Sequence, residues 1–427
     1  MAEEASLLIR GARVVDPGTG LDTAADIRVT QGHIASVEPR LSPRPGERLI
    51  EAGGLCAAPG LIDMHVHLRD PGQTEKEDIL TGCAAAAAGG VTSLAAMPNL
   101  HPVADCVEVL AYERQRAAGT GVRLYPIAAV TVGQQGEALT DFEALARAGA
   151  AAFSDDGHPV RDAATMAEAM RRAAGLGLPV ISHCEDPSLG GGLVNEGAVS
   201  RALGVKGMPA AAEEVQVARE AALAASLGVP VHIAHVSTAG SVAIVRDFRR
   251  RGVKITCETC PHYFSLDESR ALSRDADYRM NPPLRTPADV TAIAQGLREG
   301  TIGAIVTDHA PHTPAQKADF LTAPNGVVGL ETSLAAGITW LVKPGILTLF
   351  QLVQTMSTNP ARILGIDAGT LRPGAPGDIV LFDLAESWVV EPERFRSKAR
   401  NTPYKGMTLT GRVKATICAG KVVFMDN

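Results

Sequence analysis

The sequence predicts an α/β chain: a (β/α)8, TIM-type barrel beside a small β-sandwich domain built from both chain termini. Three observations carry this. Eight short apolar runs alternate with Ala-rich helical stretches across residues 59–360, the pattern of strands and helices in such a barrel. The first run ends in HVHLRDPG (65–72), where a doubly wound sheet would show a Gly-rich phosphate turn. Strand-like segments separated by Gly, Asp and Pro fill 1–58 and 361–427, each block too small to bury a core alone.

In chain order, LLIRGARVVD, ADIRVTQGHIASVE and RLIEAGGLCAA read as strands, with 39–48 a polar loop. The barrel runs are 61–68, 91–98, 122–130, 151–156, 179–185, 230–237, 253–261 and 303–311. Charge-punctuated stretches such as 165–176 and 211–228 read as the helices between them. GDIVLFDL (377–384) and GRVKATICAGKVVF (411–424) return to strand character.

With 46% hydrophobic and 20% charged residues, the chain has the composition of a large globular enzyme. A net charge of −7 and a pI near 5.9 argue against a nucleic-acid-binding surface. No apolar run of about 18 residues suggests a membrane span. MAEEASLLIR lacks a basic region followed by an apolar stretch, so no secretory signal is read. Seven scattered cysteines suit reduced thiols and a cytoplasmic location. Cys257 and Cys260 form a lone CxxC without a second pair, and read as buried strand residues.

The polar residues of the barrel runs gather at their C-terminal ends, where barrels of this kind carry their chemistry. His65 and His67 end the first run, Asp155 and Asp156 the fourth, His183 the fifth, His235 the sixth and Asp308 the eighth. On a strand, His65 and His67 share one face. A His-x-His alone is expected by chance about 0.3 times in such a chain. The whole set supplies the nitrogen and oxygen ligands of a catalytic divalent metal site. Arg69 falls one step beyond the histidines, placed to meet an anion.

These positions, with PGLIDMHVHLRDPG (59–72), MPN (97–99), FSDDG (153–157), HCE (183–185), AHVST (234–238), NPPLR (281–285) and TDHAPH (307–312), resemble the metal-dependent amidohydrolases, and among them the long bacterial dihydroorotases. The resemblance implies a zinc enzyme of pyrimidine biosynthesis that reversibly cyclises N-carbamoyl-L-aspartate to L-dihydroorotate. It implies attack by a metal-bound hydroxide, with Asp308 as both ligand and general base/acid. It also implies two zinc ions. His65, His67, Asp308 and Asp156 would hold one, and His183, His235 and the bridging Asp156 the other.

Hydantoinases carry a carboxylated lysine as the bridge, and no lysine lies between Lys76 and Lys206. Asp156 matches the bridging aspartate by its spacing to His183, with Asp155 the alternative. Arg69, Asn99, Asn281, His312, Asn325 and Gly326 are the expected substrate contacts, Arg69 and His312 toward the carboxylate and Asn99 toward the carboxylate or the ring. His309 should point away from the metal, and Glu185 could orient a ligand histidine. Loop 313–327, polar and following the eighth run, is expected to be a mobile lid. MPN is followed by Leu100, and CETC carries Cys260, where the family usually has threonine.

The expected partner is a small-molecule substrate, with no nucleic acid and no membrane. A homodimer, and association with aspartate transcarbamoylase, are implied by the family alone. The competing readings are another cyclic-amide hydrolase, such as an allantoinase or hydantoinase, and a non-catalytic scaffold subunit of aspartate transcarbamoylase.

Overall fold

A computed structural model describes residues 6–426. Eight parallel strands form the centre: Leu61–Val66, Val91–Ala96, Arg123–Ala128, Ala152–Phe153, Ile181–Ser182, Val231–Ile233, Ile255–Thr259 and Ala304–Ile305. The first four are hydrogen-bonded in order, and so are the last four. Parallel bridges Phe153↔Val180 and Val66↔His309 join the two sets into a closed barrel. The strands are shorter than the apolar runs that predict them, so most candidate site residues lie just beyond their C-terminal ends. The first two are buried at every position, which is why they read as continuous apolar runs.

Helices follow where the sequence supplies caps. Asp78 accepts from the Thr81 N–H at 2.8 Å to start Ile79–Ala88, and Asp162 caps Ala163–Gly175 through Thr165. Ala211–Leu227 covers the next interval. A small parallel ribbon, Val194–Asn195 with Gly207–Met208, interrupts the connection after the fifth strand and has no counterpart in the sequence reading.

The ends of the chain form one eight-stranded sheet. Its order is Lys421–Met425, Thr408–Cys418, Ile379–Val389, Cys56–Pro59, Ser6–Asp16, Leu21–Thr30 and His33–Glu38, with Arg48–Glu51 alongside Ser6–Asp16. Ile9, Ile27, Ile34, Leu381 and Ile417 belong to an apolar cluster separate from that of the barrel. Cys56–Pro59 pairs antiparallel with Ile379–Val389 and runs directly into the first barrel strand. Gly60 makes that passage, because a Cβ there would lie 2.2 Å from the Thr92 hydroxyl.

Candidate metal and substrate site

The strand ends bring His65, His67, Asp156, His183, His235 and Asp308 together in one buried cluster. Asp156 stands at its centre. Its Oδ1 lies 3.3 Å from His65 Nε2, 3.5 Å from His183 Nδ1 and 3.7 Å from His235 Nε2, and its Oδ2 lies 3.5 Å from His67 Nε2. Asp308 Oδ1 lies 3.0 Å from His67 Nε2 and 3.6 Å from His65 Nε2. Asp155 turns away, accepting from the Val130 and Thr131 N–H groups and the Thr131 hydroxyl.

Arg69, His235 and Asp308 have φ of 61°, 31° and 47°, three of the seven non-glycine residues with positive φ among those described. Such conformations cost about 1–3 kcal/mol each and persist only where the surroundings enforce them.

Burial opposes charge on these groups, but their mutual attraction prevails. Although burial raises it, the Asp156 carboxyl is held well below the usual range by His65, His183 and His235. The Asp308 carboxyl is drawn down to about 2 by His67 and His65 despite its burial. The His183 imidazole is pushed up to about 9 by Asp156 and Glu185, against burial. Nevertheless, His65 Nε2 and Asp156 Oδ1 are buried without a hydrogen-bond partner. Converging, unsatisfied nitrogen and oxygen donors of this kind fit a divalent cation.

Two triads have ligand atoms within 4.8 Å of one another: His65, His67 and Asp308, and His65, Asp156 and His235. His65 therefore faces both halves of the cluster, where the sequence reading put it in only one. His183 belongs to neither triad, and its Nδ1 lies 2.7 Å from His235 Nε2. The outer ring nitrogens are fixed by partners. His67 Nδ1 lies 2.7 Å from Asn99 Oδ1, and His183 Nε2 lies 3.3 Å from Glu185. A carboxylate or amide oxygen accepts from one nitrogen and leaves the other's lone pair facing the cluster.

Arg69 is buried beside this cluster. Among the described residues its side chain makes one hydrogen bond, from Nε to the Pro311 carbonyl at 3.4 Å, and no direct ion pair, with Asp308 and Asp156 acting on it at longer range. Desolvation lowers its pKa to about 10, so it is charged at neutral pH. The other expected substrate contacts have protein partners. Asn99 Oδ1 is engaged by His67, and the Asn281 amide donates to Glu185 at 2.7 Å. Asn325 Oδ1 accepts from Arg279, and the Gly326 N–H donates to the Arg279 carbonyl. Gly326 is required by close approach: at φ 135°, a Cβ would lie 2.7 Å from Ala310 Cβ.

His312 departs from expectation. Its Nε2 lies 2.8 Å from the Asn325 carbonyl, which only accepts, so Nε2 carries the proton. Nδ1 is buried without a partner, and burial and Arg69 push the ring down to about 3. The neutral ring offers a lone pair, which suits a substrate N–H and not a carboxylate.

Loop 313–327, expected to be a mobile lid, is tied to Arg279 and to itself in this conformation. Lys317 Nζ donates to the carbonyls of Arg279, Pro324 and Gly326, Arg279 donates to those of Phe320 and Leu321, and Phe320 is buried.

A family model described as Dihydro-orotase-like matches residues 54–241, and one described as Amidohydrolase family matches 159–424. Dihydroorotase of Geobacter sp. (strain M21) is 49% identical over 422 residues, 98% of this chain and 99% of that protein. Dihydroorotase of Pelotomaculum thermopropionicum is 49% identical over 424 residues, with the same shares covered. The chain belongs to the dihydroorotase family of amidohydrolases.

Among solved structures, L-hydantoinase (dihydropyrimidinase) from Arthrobacter aurescens superposes with a TM-score of 0.87 at 25% identity, over 97% of this chain and 95% of that one. Dihydropyrimidinase from Brevibacillus agri NCHU1002 gives 0.85 at 25%, over 98% and 95%. Membership and the buried ligand groups together support a metal cofactor. No helix among the described residues is long and apolar enough to cross a membrane.

The sequence reading missed one residue of the dihydroorotase-family site. Glu258, buried on the seventh barrel strand, accepts from His65 Nδ1 at 2.8 Å and from His232 Nε2 at 3.1 Å. His232 is in turn held by the Thr256 hydroxyl at 2.8 Å. Despite burial, the two histidines hold the Glu258 carboxyl at about 2. The signal was a single carboxylate in the apolar run ITCETCP, overlooked between its cysteines. His309 points outward as expected, toward Glu77 at 3.4 Å.

Glu258→Leu removes the acceptor that fixes the His65 tautomer. Metal affinity, read by competition with a chelator, is expected to fall about 10–100-fold. Unchanged affinity would restrict Glu258 to holding the barrel together.

Proposed function

We propose that this chain is a dihydroorotase: it reversibly cyclises N-carbamoyl-L-aspartate to L-dihydroorotate, a step of pyrimidine biosynthesis. The observation that carries this is the buried Arg69 guanidinium beside the ligand cluster, whose side chain, among the described residues, donates to the Pro311 carbonyl and makes no direct ion pair, with Asp308 and Asp156 acting on it at longer range. A buried guanidinium whose counter-charges do not hydrogen-bond to it keeps free donors, and a substrate carboxylate fills them with bidentate geometry. Hydantoin and allantoin bring no such group.

We read the cofactor as two zinc ions bridged by Asp156. The support is that Asp156 turns one oxygen to three imidazoles and the other to a fourth, and that no lysine is available as bridge between Lys76 and Lys206. A bound zinc ion polarises the scissile carbonyl and lowers the pKa of water to about 7.

The protein's own residues do the rest. Arg69 holds the carboxylate and sets the ring's orientation. His312 accepts from a ring N–H through Nδ1. Asp308, ionised at neutral pH, takes the proton of the attacking water. It returns that proton to the ring nitrogen as the amide C–N bond breaks. In the synthetic direction the same proton travels back and water leaves. Asn99 Nδ2, Asn281, Asn325 and Gly326 would line the ring. Residues 1–58 with 361–427, and 59–360, are taken as the two structural units. A cytoplasmic location fits seven free cysteines. A homodimer and association with aspartate transcarbamoylase belong to the same reading, and sizing the protein with and without that enzyme tests both.

The fold neighbours favour one alternative, a hydantoinase-like activity. Comparing turnover of dihydroorotate, hydantoin and allantoin decides between them, and inactivity of metal-loaded protein on dihydroorotate would overturn the proposal. Arg69→Met is expected to lower kcat/KM for dihydroorotate about 100-fold or more, the loss of a bidentate charge-assisted pair, with metal content unchanged. Equal loss of metal would assign Arg69 to the metal cluster instead.

A further inference from the structure

The residues proposed to recognise the substrate are held by a segment far from them in sequence. Residues 396–404 lie against the loops at the C-terminal ends of the barrel strands. The Arg396 and Ser397 N–H groups donate to Glu331, the Lys398 N–H donates to Glu77, and Ser397 Oγ also donates to Glu77. The Tyr404 hydroxyl lies 2.8 Å from that of Ser265, and its ring packs on Trp340.

Asn401 sits at the centre of this strap, buried. Its Nδ2 donates to the Ala310 carbonyl at 3.2 Å and to the Gly326 carbonyl at 3.0 Å. Its Oδ1 accepts from the His312 N–H at 3.2 Å, and its backbone carbonyl accepts from the Val328 N–H at 2.9 Å. Ala310 and His312 flank Pro311, whose carbonyl is the one hydrogen-bond acceptor of the Arg69 side chain among the described residues. One amide therefore brackets the support of the Arg69 guanidinium. It also ties the backbone of His312 to the Asn325–Gly326 turn that receives the His312 ring proton.

We infer that Asn401 is a positioning residue for substrate recognition, setting the geometry of Arg69 and His312 without touching the metal ligands. This rests on the dihydroorotase reading above. The fit is specific to a carboxamide. Aspartate would turn oxygen lone pairs toward two carbonyls, and alanine would leave those carbonyls and the His312 N–H without partners. None of the six cluster side chains, Asp308 included, has a hydrogen bond to Asn401 among the described residues, and its nearest link to them is the Ala310 carbonyl two residues after Asp308, so the metal cluster should be nearly indifferent to its loss.

The experiment compares the wild type with Asn401→Ala and Asn401→Ser on dihydroorotate, measuring kcat, KM and metal content together. Both variants are expected to raise KM about tenfold, the effect of losing one good hydrogen bond to a charged group, with metal content unchanged and kcat within about threefold. The pair is then repeated in an Arg69→Met background. If Asn401 acts through Arg69, its effect on kcat/KM should shrink there to about threefold or less. An unchanged KM in the single variants overturns the inference. So does a parallel loss of kcat and metal, or a full tenfold effect that persists without Arg69. If the serine variant folds and the alanine variant does not, the serine variant decides. A wild type that binds metal but does not turn over dihydroorotate would instead overturn the functional reading, and the two failures are thereby distinguished.

Discussion

Asp308→Asn is expected to lower kcat by about 10²–10⁴-fold, the usual worth of a positioned general base, while metal content stays near that of the wild type. The asparagine keeps an oxygen where Asp308 Oδ1 now faces His67 Nε2 at 3.0 Å, so the coordinating geometry has a substitute. The amide has no basic lone pair comparable to a carboxylate, so the attacking water loses its proton acceptor. Measuring metal stoichiometry beside kcat separates the roles. Parallel loss of both would make Asp308 a ligand only. The depressed pKa of about 2 sets the sign of the pH dependence. Asp308 is a competent base throughout the neutral range, and its contribution is lost only as pH falls toward 2.

The second large effect distinguishes the adjacent aspartates of FSDDG. Asp156→Ala is expected to abolish both metal binding and turnover, because it removes the one group that reaches His65, His67, His183 and His235 together. Asp155→Ala should do the reverse. Its carboxylate satisfies two backbone N–H groups and the Thr131 hydroxyl, and leaving buried donors unpaired costs about 1–3 kcal/mol each. That variant should melt at a lower temperature yet retain its metal. Metal analysis with a thermal melt checks both, and metal retention by Asp156→Ala would reverse the assignment.

What could be read in advance depended on whether the information was local. Barrel strands buried on both faces are mostly apolar, so Leu61–Val66 and Val91–Ala96 stood out although they carry Asp63, His65, Thr92 and Ser93. Polar residues ending such runs are conspicuous, and they proved to be the cluster. The tautomer of His312 was not legible, because it is set by the carbonyl of Asn325, thirteen residues away on a returning loop. Glu258 meets His65 across 193 residues, and Asn401 meets Ala310 across 91. No periodicity encodes such pairings. The contacts of loop 313–327 were not legible for a different reason. Its polar composition suggested exposure, but Lys317 can bury its stem if three carbonyls receive its ammonium.

The strap that carries Asn401 has a consequence for how the protein is made. Ser397 reaches back 320 residues to Glu77, and Cys56–Pro59 waits for Ile379–Val389 to complete its sheet. On the ribosome, every strand of the barrel emerges before either of these partners exists. Every residue of the metal cluster is thus synthesised before the segment that braces the substrate loops. The strap is therefore added only in the closing stage of translation, and a chain that stalls earlier lacks every hydrogen bond that Asn401 makes to the loop after the eighth strand.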